Sequence, residues 1–306
     1  MLAYTARRLV MTLPVLFGVA TLVFALLHLV PGDPAASMLG EGASVEDVQA
    51  LRTKLGLDRP LVTQYRTYLA GAWRGDLGVS FRFGTPVSRE IATRVPQTLL
   101  LAASAMLVAT VLAIPLGIVA AVFRGRAPDR AAMTLAVIGL SLPAFWLGPL
   151  LALVFGVELG LLPVAGSGSL AHLVLPSFTL GFALAALLAR MTRTTLLDEL
   201  RELYVLAARA RGASLWRAVI IHAFRNSLIP VVTVMGLQFG AVLTGSIITE
   251  TIFAWPGIGR LLITAINSRD YPVVQGCILW IAVIYVGVNL ATDLIYGWLD
   301  PRIRYE

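Results

Sequence analysis

Six stretches almost free of charge dominate this chain of 306 residues. They run from Leu9 to Val30, Gln97 to Phe123, Ala131 to Val157, Leu173 to Ala189, Ile229 to Thr249, and Cys277 to Leu299, the last interrupted by Asp293. At about 1.5 Å per residue, each can span a hydrocarbon core about 30 Å thick, the fourth only just. The composition agrees: the chain is 58% hydrophobic and 13% charged, with mean hydropathy +0.83, where soluble domains carry about 25% charge. A core of this size could not bury that much apolar surface in water. The period-two alternation of an outer-membrane barrel is absent, so the runs read as helices. The expected fold is an all-α integral membrane protein with six transmembrane helices.

The first run follows Arg7 and Arg8, as a signal peptide would. Its apolar part is about twice the length of a signal h-region, and Pro31-Gly32-Asp33-Pro34 follows it instead of a small-residue cleavage site. It is expected to stay as a true helix. The +7 net charge comes from 23 Arg and one Lys, Lys54, and these lie between the runs, a distribution of topology and not of nucleic-acid binding. The N-terminus, the turn Arg124 to Arg130, the segment Arg190 to Asn226 and the tail hold fourteen of them; Glu158 to His172 holds none. Both termini are therefore expected in the cytoplasm. The lone Cys277 can form no disulfide within the chain and reads as packing.

Two segments stand apart from the membrane runs. Residues 31–96, on the outside, carry eight basic and seven acidic side chains. Ser44 followed by Glu46 and Asp47 reads as a helix start with Gly56 as its stop, and a second short helix fits Leu61 to Trp73. The segment 190–228, on the inside, shows Leu196, Leu200, Leu203, Ala207 and Ala208 at helical spacing among charged residues. Gly212 then breaks the helix, Ser214 can cap another, and Pro230 stands at the head of the fifth run. Such a stripe either docks a partner or rests on lipid headgroups. The domain expectation is 1–96 for the first helix with its external segment, and 97–306 for a five-helix core.

Absences narrow the chemistry. Lys54 is preceded by Thr53 and followed by Leu55, so there is no G-x-x-x-x-G-K-[ST] phosphate loop. ATP-driven work would need a partner. His28, His172 and His222 stand in no H-E-x-x-H, and no G-x-S-x-G exists; the Ala165 to Ser169 loop reads as a turn. An intramembrane enzyme has no positive signal. A secondary transporter would place ionisable groups in the spans, where Asp293, with Asn289 and Tyr285 at spacings of four, is the exception. Glu250 and His28 sit near the outer ends of their runs. His28 is expected to pair locally or to reach out to the membrane interface.

At the cytoplasmic loop the sequence Tyr204-Val205-Leu206-Ala207-Ala208-Arg209-Ala210-Arg211-Gly212, then Arg225-Asn226-Ser227-Leu228-Ile229-Pro230, resembles the coupling motif of inner-membrane permease subunits of bacterial ABC importers of the dipeptide and oligopeptide branch. Leu206 replaces the motif's Glu. Ala6-Arg7-Arg8-Leu9, Pro31-Gly32-Asp33-Pro34, Leu55-Gly56-Leu57-Asp58, Gly75-Asp76-Leu77-Gly78, Glu250-Thr251-Ile252-Phe253, Pro256-Gly257-Ile258-Gly259 and the tail Asp300-Pro301-Arg302-Ile303-Arg304-Tyr305 are similar, in order, to the first of the two permeases in such systems. The resemblance implies a type I importer transmembrane domain in the bacterial inner membrane. It implies a second homologous permease, two ATP-binding subunits holding ATP and magnesium, and an external substrate-binding protein, with no cofactor or metal on this chain itself.

The resemblance assigns ATPase coupling to Arg201, Tyr204, Ala207, Ala208, Arg211, Gly212 and Ser214. Gln238, Glu250, Tyr285, Asn289 and Asp293 are candidates for the translocation pathway. The implied substrate is a di- or oligopeptide, with glutathione, a nickel complex or another small solute as the alternative. A gradient-driven secondary transporter is the reading from another class.

Overall fold

The computed structural model describes residues 2–29, 33–39 and 42–299. The pair Pro31-Gly32, the tail from Asp300 and the side chains of Arg7, Arg8 and Asp293 lie outside the described residues. Among the described residues there is no strand, only one isolated bridge between Val79 and Pro86. Among the described residues the apolar runs are helical nearly throughout, as a backbone without water to bond must be, the third with one break.

The elements are α1 (Leu2–Leu29), α2 (Pro34–Leu39), α3 (Val45–Leu55), α4 (Leu61–Arg74), α5 (Val87–Val122), α6 (Ala127–Ser141), α7 (Ala144–Leu151), α8 (Ala171–Glu199), α9 (Leu203–Ala210), α10 (Leu215–Arg217), α11 (Phe224–Ile252), α12 (Ile258–Asn267) and α13 (Tyr271–Leu299). Wider π-type turns, Ala152–Glu158 and Ala218–Ala223, continue α7 and join α10 to α11. Four helical stretches are long and apolar enough to cross a membrane, from Val87, Ala171, Leu215 and Tyr271; the bent pair 127–158 makes a fifth. The apolar part of α1, Val10–Ala25, is shorter.

Two departures from the expected runs have a common cause in proline. The third run bends by 103° between Ser141 and Ala144. Leu142 precedes Pro143, whose ring pushes it out of helical geometry to φ −88°, ψ 113°. Pro230 does not head a helix but sits inside α11, in a helical stretch already running from Leu215. Membrane helices tolerate an interior proline when neighbours and local π turns re-satisfy the freed backbone groups.

The chain forms two compact units: one holds Leu99–Trp255 and the chain from Gly287, the other Leu2–Thr98 and Pro256–Val286. In the second, α3 begins as expected, with Ser44 Oγ accepting from the Asp47 amide at 3.1 Å, and ends at Gly56 with φ +69°. The helix α4 lies on α1, where Thr21 Oγ1 meets the Tyr65 hydroxyl at 2.6 Å. His28 pairs locally: its Nδ1 is 2.8 Å from the Phe24 carbonyl and its Nε2 3.2 Å from Gln64 Oε1. The loop before α5 is held by buried Asp270, whose carboxylate accepts from Ser80 Oγ at 2.6 Å and from the Phe81 and Arg82 amides at 3.1 and 3.2 Å.

In the first unit α8 is the central post, with α5, α6, α7 and α11 packed on it. Small residues make the contacts: Ala109, Ala113, Ala185 and Ala189 are buried with Met106, Leu188 and Val231. Glycines allow the closest approaches. A Cβ on Gly181 of α8 would stand 2.6 Å from the Ala105 carbonyl oxygen of α5, and one on Gly117 of α5 would overlap Thr192 of α8. In hydrocarbon, leucine gains nothing by leaving lipid for protein, so association rests on such close packing.

Gly181→Ala is therefore expected to destabilise by about 1–3 kcal/mol, as overpacking does. Gly245→Ala, on exposed helix surface with nothing within 4 Å, is expected to stay within about 0.5 kcal/mol. Thermal unfolding of the purified protein in detergent measures both, and equal shifts would contradict the packing argument.

Candidate functional site

The cytoplasmic element is built by interrupting a long helix. The helix α8 closes at Glu199, residues 200–202 turn, and α9 starts again at Leu203. This break re-phases the apolar stripe. The continuous stripe expected through Leu196, Leu200, Leu203, Ala207 and Ala208 is corrected: Leu203 and Ala207 are exposed, and Val205 joins Ala208 on the buried side. Val205 is fully buried with Ile118 and Ala121 of α5, Leu196 of α8, and Ala218, Val219 and Ala223 of the π segment. One short helix is thus seated on three parts of the chain.

The end of α9 follows from one glycine. The Gly212 amide donates to the Arg209 carbonyl at 2.9 Å and the Ala213 amide to Ala208 at 3.2 Å, the paired bonds of a Schellman motif. That motif requires a left-handed residue, and Gly212 has φ +92°. Ser214 then caps the next helix, its Oγ accepting from the Arg217 amide at 3.3 Å. Both expectations, the Gly212 break and the Ser214 cap, hold in the structure.

Tyr204 ties the element together from outside the apolar seat. Its hydroxyl donates to the Glu199 carboxylate at the end of α8 and accepts from Asn226 Nδ2 of α11 at 2.9 Å. Desolvation, reinforced by the bond to Glu199, pushes the Tyr204 phenol up to about 12. A phenol raised above its usual value near 10 keeps its contribution at every pH below 10 and loses it only as pH climbs toward 12. The Glu199–Tyr204–Asn226 link spans 22 residues between tyrosine and asparagine, so no local pattern announces it.

Much of what remains exposed on this element is large and apolar: Leu203, Tyr204, Leu206, Leu215, Trp216, Ile220 and Ile221. Arg201, Arg211, Gly212 and Ser214 are also exposed, while Ala208 faces inward. A helix with a buried underside and an apolar, arginine-flanked upper side suits a partner protein or the lipid headgroup region better than open water.

The pathway candidates do not share one setting. Glu250 is fully buried, accepting from Ser246 Oγ at 3.2 Å. Gln238 on α11 is half-buried, two residues beyond Gly236, where a Cβ would overlap Thr292 of α13. Asn289 is half-buried; Tyr285 is exposed and belongs to the other unit. Among the described residues no group of three or more His, Cys, Asp or Glu could hold a metal ion.

Residues 113–305 match the family described as "Binding-protein-dependent transport system inner membrane component", and residues 1–102 match its N-terminal companion. The chain is 48% identical over 306 residues, all of both chains, to a "Glutathione transport system permease protein GsiC" of Escherichia coli O6:H1. It is 47% identical, again over the full length of both, to the protein of that name from Escherichia coli K12. Both relatives are named for glutathione, not for dipeptides. Among solved structures, an inward-facing MetNI methionine ABC transporter shares the fold with TM-score 0.58 at 18% identity, over 69% of this chain and 96% of that one. An amino acid ABC transporter crystallised with histidines shares it with TM-score 0.55 at 14% identity, over 69% and 94%.

Tyr204→Phe removes the donor to Glu199 and leaves the Val205 seat intact. The expected result is a local loss of about 1 kcal/mol, read as roughly fivefold faster hydrogen exchange of the α9 amides with unchanged global unfolding. Unchanged exchange would show that the apolar seat alone fixes α9.

Proposed function

We propose a function from one premise: this chain belongs to the family of binding-protein-dependent transport system inner membrane components, the membrane subunits of ABC importers. It is a multi-pass inner-membrane permease, and ATP hydrolysis in this family is carried by separate subunits. The substrate we propose is glutathione or a closely related short peptide. The observation that carries this is the full-length identity of 48% and 47% to two permeases named for glutathione transport. A general di- or oligopeptide is the second reading, favoured by the sequence motifs alone.

In this reading α1 crosses the membrane as well, which makes six spans with both termini and the α9 element in the cytoplasm. The partners are a second homologous permease, two ATP-binding subunits holding ATP and magnesium, and an external binding protein. The ATPase would sit on the exposed apolar side of α9 and α10, touching Arg201, Tyr204, Ala207, Arg211, Gly212 and Ser214. Coupling then needs no covalent chemistry on this chain. A ligand shifts a two-state equilibrium only through unequal contact with the two states. An ATPase that changes shape on α9 moves what α9 is seated on: the ends of α5 and α8 and the start of α11. Gln238 and Asn289, half-buried on α11 and α13, are the positions we favour for facing the solute; Tyr285 and Asp293 stay candidates on their sequence spacing alone. Glu250, buried against Ser246, would shape the outer end of α11 instead of touching solute.

The test is uptake of labelled glutathione by cells or proteoliposomes holding the whole system. Saturable, ATP-dependent uptake that excess dipeptide inhibits weakly is the expected result. Uptake of a dipeptide that glutathione does not compete with would replace the substrate. Loss of uptake to a proton uncoupler at constant ATP would favour a gradient-driven transporter. Gly212→Asp, which strains the left-handed turn by about 1–2 kcal/mol, is expected to cut import about tenfold while the partner ATPases still hydrolyse ATP. Unchanged import would remove that turn from the coupling path.

A further inference from the structure

The turn between α5 and α6 carries a charge arrangement that coupling does not use. Arg124, Arg126 and Arg130 are exposed there, and Arg190 is exposed on the neighbouring α8. One carboxylate, Asp129, sits among them, only 4% exposed and fully engaged. Arg193 holds it with two parallel bonds, Nε to Oδ1 at 2.7 Å and Nη2 to Oδ2 at 2.9 Å. The Gly125 amide adds a third bond to Oδ2 at 2.8 Å. That bond fixes the turn, which needs its glycine at φ +77°.

The consequence is electrostatic. Asp129 and Arg193 cancel each other, and among the described residues none of Arg124, Arg126, Arg130 and Arg190 is paired with a carboxylate. Arg190 lies one turn from Arg193 on the same side of α8. Four exposed guanidinium groups, of which only Arg124 feels the Asp129 charge, therefore surround a turn and a helix end that a buried ion pair holds in fixed relation. A signal for membrane orientation needs charge but no such fixed geometry.

We propose that this cluster binds the phosphate headgroups of anionic phospholipids in the cytoplasmic leaflet. Two features choose lipid as the occupant. The helix that leaves the turn, α6, exposes Leu135, Val137, Ile138 and Leu140 a few turns on, a surface for acyl chains directly beside the arginines. Guanidinium groups bond phosphate oxygens in pairs, and basic clusters at the cytoplasmic ends of membrane helices are attracted to anionic lipid. The end of α5, through Ile118 and Ala121, packs in the same apolar seat as Val205. Lipid bound at this turn therefore bears on the seat of α9 through the end of α5. The proposal rests on the orientation given under the proposed function, but its test needs no substrate.

The whole transporter is purified in mild detergent, with native mass spectrometry scoring retained phosphatidylglycerol. It is then placed in nanodiscs of phosphatidylcholine with or without about one third phosphatidylglycerol, for ATPase assay. The expected result is retained anionic lipid and a roughly threefold higher ATPase rate with phosphatidylglycerol, both lost in the triple variant Arg124→Gln, Arg126→Gln, Arg130→Gln. Arg190→Gln, which leaves the turn untouched, should lose part of the effect. Wild-type lipid retention and lipid dependence in both variants would overturn the proposal. So would inorganic phosphate replacing the lipid, or a triple variant that keeps its lipid but no longer binds the ATPases, which would make the cluster a protein contact. Failure of glutathione uptake leaves this test standing.

Discussion

The cytoplasmic element depends on one small apolar seat, where Val205 of the eight-residue α9 meets Ile118 and Ala121 of α5, Leu196 of α8 and the π segment that leads into α11. Burying a valine fully stabilises by about 1.5–3 kcal/mol, modest for a fold but decisive for an eight-residue helix, which is marginal on its own in water. In the proposed coupling, a force on α9 would reach the ends of α5 and α8 and the segment leading into α11 through this seat. The Schellman turn at Gly212 and the Tyr204 link add the hydrogen bonds that tie α9 to its neighbours.

The membrane half obeys a different rule. Lipid removes the advantage of burying large apolar side chains, so large ones such as Leu107, Val111, Leu135 and Leu237 face outward while alanine and glycine fill the contacts around α8. Close packing of this kind is what holds the helices of this unit together.

The sequence carried much of this openly, because composition is a strong signal when the solvent is lipid. The apolar runs are helical nearly throughout, and Ser44, Gly56, Gly212 and Ser214 punctuate as their chemistry dictates. The phase of the α9 stripe was not legible. A helical wheel drawn through Leu196 to Ala208 assumes an unbroken helix, and the turn at 200–202 rotates the second half so that Val205 replaces Leu203 inside. The bend at Pro143 lay in plain view, but an uncharged run of 27 residues hides a break that needs no polar residue. Interior Pro230 and the π turns before it depend on tertiary neighbours that no local window contains. Of the candidate site, the Gly212 turn and the Ser214 cap were readable from residue type and spacing. The burial of Glu250 and the reach of Tyr204 to Asn226 were not, since both arise from helices brought together by packing.

In the proposed function α9 and α10 are the surface a separate ATPase grips. Site-directed cross-linking probes that grip, and the buried native Cys277 leaves the background low. With Leu206→Cys on the exposed side of α9, the complete transporter in membrane vesicles should cross-link to an ATP-binding subunit. The yield should change between the nucleotide-free and the vanadate-trapped complex. A Leu206→Cys protein that cross-links to no ATP-binding subunit in either state, while transport continues, would contradict the account.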